Sequence, residues 1–301
     1  MNKVLILDFG SQYTQLIGRR VRELRVYCEI HPCSLSFDKI KSFGADAIIL
    51  SGGPASVLGR GSPKIDSRVF DLGLPVLGIC YGLQLMAYLL GGKVIPASKR
   101  EYGKSILKLN INDILFKGIS KQSTVWMSHG DSVEKLPLNF KLLGETENSI
   151  PSVIAHNSKK IYGLQFHPEV VHTEFGTQFL KNFLFEVAGL KADWTMESFE
   201  KKEIKKKRKK VGPHKVILGL SGGVDSSVAA FLIHKAIGDQ LHCIFVDNGL
   251  LRKNEVEEVK ELFASKKHIN LKVVNGTKVF LDALKKVTDP EKKRKTIGRI
   301  F

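Results

Sequence analysis

The stretch Gly78-Ile79-Cys80-Tyr81-Gly82, entered from the apolar run Val76–Ile79 and left through Leu83–Leu90, decides how the first two-thirds of this chain is read. Val76–Ile79 reads as a buried strand and Leu83–Leu90 as a helix. Cys80 therefore sits on a sharp strand-to-helix turn, the form of a nucleophile elbow with cysteine in place of serine. Glycines flank such a residue because the turn leaves no room for Cβ atoms, and a helix amino terminus favours a thiolate over a thiol. Cys28 and Cys33 lack this setting and read as core cysteines. The four cysteines, Cys243 included, have an irregular spacing that matches neither a zinc site nor a disulfide framework.

Working outward, Val4–Leu7, Val26–Ile30 and Ala47–Leu50 read as further buried strands. Gln12–Leu24 reads as a helix with Leu16, Arg20 and Leu24 on one stripe and Ile17 and Val21 beside it. Short apolar strands alternating with amphipathic helices predict a doubly wound α/β fold, a parallel sheet with helices on both faces. After Lys93 the pattern changes to shorter alternating pieces, Ser105–Leu109, Val125–Ser128, Ser152–Ala155 and Ile161–Gln165, which predict an antiparallel extension. Phe175–Val187 carries Phe179, Phe183 and Val187 at spacing four, ahead of Gly189 as a helix stop. These features place a first domain at residues 1–193. A second start follows in residues 194–301: the strand Lys215–Leu220 enters a glycine loop and the helical Val224–Ala236, and Leu241–Val246 is the next strand.

A cysteine nucleophile needs a base, and the base needs an orienting partner. His167-Pro168-Glu169 supplies both after the strand Ile161–Gln165, where residues two apart share a face and Pro168 marks a strand end or edge. His129, in Met127-Ser128-His129-Gly130-Asp131, is the rival base, while His31, His156 and His172 read as surface or loop residues. Acyl transfer also needs donors for a developing oxyanion. Ser51-Gly52-Gly53-Pro54 follows a strand and can turn backbone N–H groups of Gly52 and Gly53 toward Cys80, with the Tyr81 N–H as a second donor.

In the second half, Ser221-Gly222-Gly223-Val224-Asp225-Ser226-Ser227 lies between a strand and a helix, where backbone N–H groups and the helix dipole make an anion pocket. It is not a Walker A loop, since it has no lysine. Its three hydroxyls and two glycines offer neutral donors, and Asp225 offers an oxygen ligand for magnesium.

The chain order Ser51 to Pro54, Gly78 to Gly82, His167 to Glu169 resembles the class I glutamine amidotransferase family over roughly residues 3–190. The resemblance implies a glutaminase in which Cys80 attacks the side-chain amide, His167 shuttles the proton and Glu169 holds His167. It also places Gln84 and Ser128, His129, Gly130 and Asp131 near the glutamine pocket. The loop Ser221–Ser227 resembles the pyrophosphate loop of the ATP pyrophosphatases, whose reactions pass through an adenylated intermediate. Val246, at the end of the strand after that loop, then lines the adenosine side. Thr288–Lys295 reads either as a solvated helix start or as a lid bringing lysines to phosphates. The two halves in this order, with Asp247–Arg252 and Thr288–Phe301, resemble the glutamine-hydrolysing GMP synthetase family. That resemblance implies a ligase using ATP, magnesium, glutamine and xanthosine monophosphate (XMP), and a homodimer built through a carboxy-terminal segment.

Composition fits globular protein, at 43% hydrophobic and 26% charged over 301 residues. Apolar runs are far shorter than the roughly 20 residues that cross a bilayer, and the amino terminus reads as a strand rather than a leader, so a cytoplasmic protein is expected. The net charge of +17 is uneven: 23 basic and 17 acidic residues stand in residues 1–193, against 24 and 13 in residues 194–301. Eight of the ten residues Lys201–Lys210 are basic, a run that reads as a hydrated helix or linker in preference to a polyanion site. A tRNA-modifying enzyme, which a basic second half and a pyrophosphate loop also suit, is disfavoured because a glutaminase domain does not fit it. A non-catalytic or regulatory remnant is the other alternative. Only about 80 residues follow the phosphate loop, short of the roughly 100 to 150 of an independent doubly wound domain, so Phe301 reads as a truncation within the resembled family. The purified 301-residue chain is therefore expected to convert XMP to GMP weakly or not at all, and ready turnover in a product assay contradicts that expectation.

Overall fold

The structure is a computed structural model that describes residues 2–110, 112–265 and 269–301. The chain divides into two compact units, Met1–Thr195 and Met196–Phe301.

The first unit runs β1 (Lys3–Asp8), α1 (Thr14–Glu23), β2 (Tyr27–Pro32), α2 (Phe37–Phe43), β3 (Ala47–Leu50), β4 (Val76–Ile79) and α3 (Tyr81–Leu89). It continues with β5 (Lys93–Leu109), β6 (Gln122–Lys135), β7 (Phe140–Thr146), β8 (Pro151–His156), β9 (Ile161–Leu164) and α4 (Gly176–Asn182). Among the described residues these strands form one nine-stranded sheet in the order β2-β1-β3-β4-β9-β8-β7-β5-β6. From β2 to β9 neighbours are parallel, and from β9 to β6 they are antiparallel. The two halves of the sheet follow from burial. β1, β3 and β4 are apolar at nearly every position because both faces are covered. β6 alternates buried and half-buried residues because one face is partly solvated.

Two expectations are corrected in detail. The pieces after Lys93 are not short: β5 spans 17 residues and β6 spans 14, with a register shift between Pro96 and Glu101 that breaks the alternation. On α1 the buried stripe is Thr14, Ile17, Gly18 and Val21, so Leu16 and Arg20 flank the stripe instead of leading it.

The register aligns Leu50 of β3 with Gly78 of β4, and Gly78 with Gly163 of β9. α3 packs over this row, and glycine makes its close approach possible. A Cβ on Gly78 would stand 2.7 Å from the Gly82 carbonyl, and one on Gly82 would strike the Leu50 carbonyl oxygen and lie 2.8 Å from Leu50 Cβ. Leu83, Leu85 and Met86 of α3 are fully buried in return, each adding roughly 1.5–3 kcal/mol of transfer free energy.

The second unit runs α5 (Met196–Val211), β10 (Val216–Leu220), α6 (Val224–Ile237), β11 (Leu241–Asp247), α7 (Glu255–Lys260), β12 (Asn270–Asn275), α8 (Thr277–Leu284) and α9 (Pro290–Ile300). Its strands form a parallel sheet in the order β10-β11-β12. The basic run Lys201–Lys210 is helical, within α5, and no residue of that helix is buried. Thr288–Lys295 contains the start of α9, where the Asp289 side chain caps the Lys292 N–H at 2.8 Å. No helix among the described residues is long and apolar enough to cross a membrane.

Replacing Gly82 by alanine forces the α3–β3 contact apart, and overpacking of this kind costs about 1–3 kcal/mol. Chemical denaturation of Gly82→Ala is expected to show a lowered midpoint with an unchanged slope, whereas a wild-type midpoint contradicts the packing described.

Candidate active site

β1, β3, β4 and β9 are adjacent and parallel, so their carboxyl ends open on one edge of the sheet, where doubly wound folds bind ligands. Four segments meet there: Gly10–Tyr13 after β1, Ser51–Pro54 after β3, Cys80 after β4 and Gln165–Glu169 after β9. Gly10–Tyr13, Gly53, Pro54, Cys80 and His167 from these segments line, with Gln84 and Ser128–Asp131, an open pocket of about 660 Å³.

Cys80 has φ 50° and ψ −106°, a positive-φ conformation that costs a non-glycine residue about 1–3 kcal/mol. Neighbouring bonds hold it there: its N–H donates to the Leu164 carbonyl at 2.7 Å, its carbonyl accepts from Gln84 N–H at 3.1 Å, and Gly82 N–H donates to Ser51 O at 3.1 Å. The turn lifts the side chain off the sheet, where Gln165 Nε2 lies 3.8 Å from the sulfur and the sulfur 3.5 Å from the Ser128 carbonyl. Burial pushes the other three thiols up, Cys28 to about 11. The Cys28 thiol donates to Gly18 O, as suits a core cysteine.

His167 Nδ1 lies 2.8 Å from Glu169 Oε1, and both side chains are almost wholly buried. The route to this pair differs from strand alternation. β9 ends at Leu164, and His167 and Glu169 stand on the turn that follows. Pro168 at the turn sends the two side chains to the same side. The turn is sewn to β6: His167 N–H donates to Trp126 O at 3.0 Å, and Thr173 Oγ1 donates to His167 O at 2.6 Å while accepting from Trp126 N–H. Arg20 Nε donates to the Glu169 carbonyl at 3.1 Å.

Gly52 brings the halves together. A Cβ at that position would lie 3.0 Å from His167 Cε1 and 3.6 Å from Cys80 Cβ, so the imidazole and the thiol flank a spot that only glycine leaves open. Ser51 fixes this loop by accepting from Phe9 N–H and donating to Gly52 O. Burial alone would lower the His167 pKa, but hydrogen bonds and charge interactions with Cys80 and Glu169 outweigh it and raise it to about 10.

His129, the rival base, lines the same pocket with both ring nitrogens engaged. Its Nε2 lies 3.3 Å from Glu101 Oε2 and its Nδ1 2.9 Å from the Asp131 carbonyl. Gln84 Nε2 donates to the same carbonyl at 2.8 Å and to Gln165 Oε1 at 3.3 Å. Tyr13, edge-on to His167 at 5.2 Å, and Gln165 escaped the sequence reading. Gly10–Tyr13 was open to discovery as a glycine-led loop after a central strand, whereas nothing local distinguishes Gln165.

In the second unit Ser221–Ser227 joins β10 to α6, with Gly222 at φ 77°. The hydroxyls of Ser226 and Ser227 donate to the Gly223 carbonyl, at 3.0 and 2.8 Å, and Gly223 N–H donates to Ser221 Oγ. The expected donors are thus engaged within the loop, so an anion there would replace internal bonds. Asp225 is exposed in the first turn of α6, and Val246 is half-buried on β11. Among the described residues no group of three or more His, Cys, Asp or Glu side chains is arranged to hold a metal ion.

Residues 5–187 match the family model for glutamine amidotransferase class-I. The chain belongs to that family. Residues 197–296 match the model for NAD synthase. The whole chain is 56% identical to curated proteins named GMP synthase [glutamine-hydrolyzing] from Maridesulfovibrio salexigens and Brachyspira hyodysenteriae. The alignments cover all of this chain and 59% of each relative, so it spans about three-fifths of their length. Among solved structures, a candidate GMP synthase component from Thermoplasma acidophilum superposes with a TM-score of 0.55 at 30% identity, covering 67% of this chain and 98% of that one.

A folded-state pKa raised from 6.5 to about 10 means that the native state holds a proton the unfolded chain has lost. The associated stability is complete below about pH 6.5 and disappears as pH rises through 10. Wild type is expected to lose stability across that window, with a His167 ring titrating well above ordinary histidine by NMR. Glu169→Gln should flatten the loss and lower the ring's pKa, and equal titration in both chains contradicts the pairing.

Proposed function

We propose that the first unit hydrolyses glutamine at Cys80 and that the ammonia serves an ATP-dependent amination of XMP to GMP in the protein to which both units belong. The observation that carries the first half is the meeting of a strained cysteine, a buried His–Glu pair and glycine loops at the ends of adjacent parallel strands.

In this reading the Cys80 thiolate attacks the side-chain carbonyl carbon of glutamine while His167 holds the proton. The carbonyl electrons move to oxygen, and backbone N–H groups of Gly53 and Tyr81 beside Cys80 receive the oxyanion. Collapse breaks the C–N bond as His167 protonates the departing nitrogen, leaving ammonia and a γ-glutamyl thioester. His167 then takes a proton from water, the hydroxide adds to the thioester, and glutamate leaves with the thiolate restored. Glu169 keeps Nδ1 occupied so that Nε2 is the nitrogen that exchanges protons. Gln84 and Ser128–Asp131 form the wall against which glutamine lies.

The second half rests on the two units in this order and on the resemblance to full-length GMP synthases. Ser221–Ser227 would receive the pyrophosphate of ATP at the amino terminus of α6, and Val246 the adenosine side. Asp225 is the residue that would hold magnesium, which takes only one or two protein carboxylates together with phosphate oxygens and would supply neutralisation of phosphate charge. XMP activated at its 2-oxygen by adenylation then yields AMP when ammonia adds. The cysteines are free thiols, the state of a reducing compartment such as the cytoplasm.

The test is acid quenching during turnover, with the bound species mapped by mass spectrometry. A glutamyl adduct on Cys80 is expected, with glutamine hydrolysis cut to a residual background rate in Cys80→Ala and any ammonia-dependent reaction spared. Glutaminase activity near the wild-type rate in that variant contradicts the assignment.

A further inference from the structure

Glu101 lies on β5 directly opposite His129 of β6 in the antiparallel ladder, beside the register shift that follows Pro96. Its side chain is buried, and a buried carboxylate is costly unless its oxygens find donors. Three groups from three segments meet it. Thr146 Oγ1 donates to Oε1 at 3.0 Å, Asn148 Nδ2 donates to Oε1 at 2.8 Å, and His129 Nε2 approaches Oε2 at 3.3 Å.

The other side of the histidine fixes its protons. Nδ1 faces the Asp131 carbonyl, which can only accept, so Nδ1 carries a hydrogen. Nε2 faces an oxygen of Glu101. Burial raises the Glu101 carboxyl, but hydrogen bonds from His129, Asn148 and Thr146 outweigh it and hold the carboxyl below its ordinary value. Nε2 and Oε2 stand within hydrogen-bond reach of each other, so the ring is held from both sides. The network then continues from the Asp131 carbonyl through Gln84 and Gln165 to the sulfur of Cys80.

We propose that Glu101 is a positioning residue of the glutamine pocket: it holds the His129 ring in place against the Asp131 carbonyl and so pins the Ser128–Asp131 wall against which substrate lies. The inference rests on the glutaminase reading above and adds a residue that no motif contains. Glu101 touches neither the sulfur nor the substrate space. Its influence passes through His129 and the Asp131 carbonyl, so its loss weakens binding of glutamine and leaves the chemistry at Cys80 nearly intact.

The experiment compares the 301-residue wild type with Glu101→Gln and Asn148→Ala, reading glutamine hydrolysis and the ¹⁵N shifts of the His129 ring. Losing a charge-assisted hydrogen bond in a buried site corresponds to on the order of ten- to a hundredfold. Glu101→Gln is expected to raise KM for glutamine by that factor with kcat within about threefold, and to shift the ¹⁵N resonance of His129 Nε2. Asn148 is exposed, so its replacement leaves the fold intact while taking one donor from Glu101, and it should raise KM several-fold. If Glu101→Gln does not fold, Asn148→Ala decides: a raised KM supports the role and a wild-type KM overturns it. A fall in kcat at constant KM, or His129 ring shifts that Glu101→Gln leaves unchanged, also overturns it. Should wild type not hydrolyse glutamine, the glutaminase reading fails on its own, and the ring shifts still judge Glu101.

Discussion

The approach of α3 to the strands beneath it is the constraint from which the site follows. Gly78 and Gly82 let the helix settle on the row Leu50, Gly78 and Gly163, and that contact leaves one residue to turn the chain from β4 into α3. Cys80 takes the strained conformation because the Leu164 carbonyl on one side and the Gln84 N–H on the other fix its backbone. The strain costs roughly as much as one buried aliphatic side chain supplies, and α3 buries several. Stability spent at the turn is thus recovered in the packing that creates the turn.

Burial sets the electrostatics of the site. An isolated imidazolium in this environment is unfavourable, and the ring keeps its proton only because a carboxylate and a thiol stand beside it. Among the described residues Glu169 Oε2 is buried without a hydrogen-bond partner, so the carboxylate depends on His167 and its surroundings for compensation. The turn carrying both residues is correspondingly fastened, to β6 through Trp126 and Thr173 and to α1 through Arg20. Rigidity is what lets two side chains on a loop act as a preorganised pair.

Much of this was legible from residues alone, for physical reasons that differ by element. β1, β3 and β4 are apolar runs because both faces are covered, and the elbow glycines announce a close packing that no other residue allows. The long β5 and β6 looked like fragments because a register shift and half-solvated faces break their alternation. β7 and β12 carry too little pattern to stand out, and four of the six residues of β12 are exposed. The pairing of His167 with Glu169 was reached through strand periodicity, whereas the structure makes it through a turn, so spacing alone did not carry the geometry. Glu101 and Gln165 carry no local signal because their partners are distant in the chain, and a lone glutamate in a strand reads as a solvated residue until the ladder sets it against His129.

The interdependence of Cys80 and His167 is the claim on which the account turns, and a double-mutant cycle on glutamine hydrolysis measures it. Residues that act as one unit lose nearly everything with the first substitution. Cys80→Ala with His167→Ala is expected to be no slower than Cys80→Ala alone. A double variant whose loss is the product of the two single losses would mean that thiol and imidazole work independently, contrary to the convergence described.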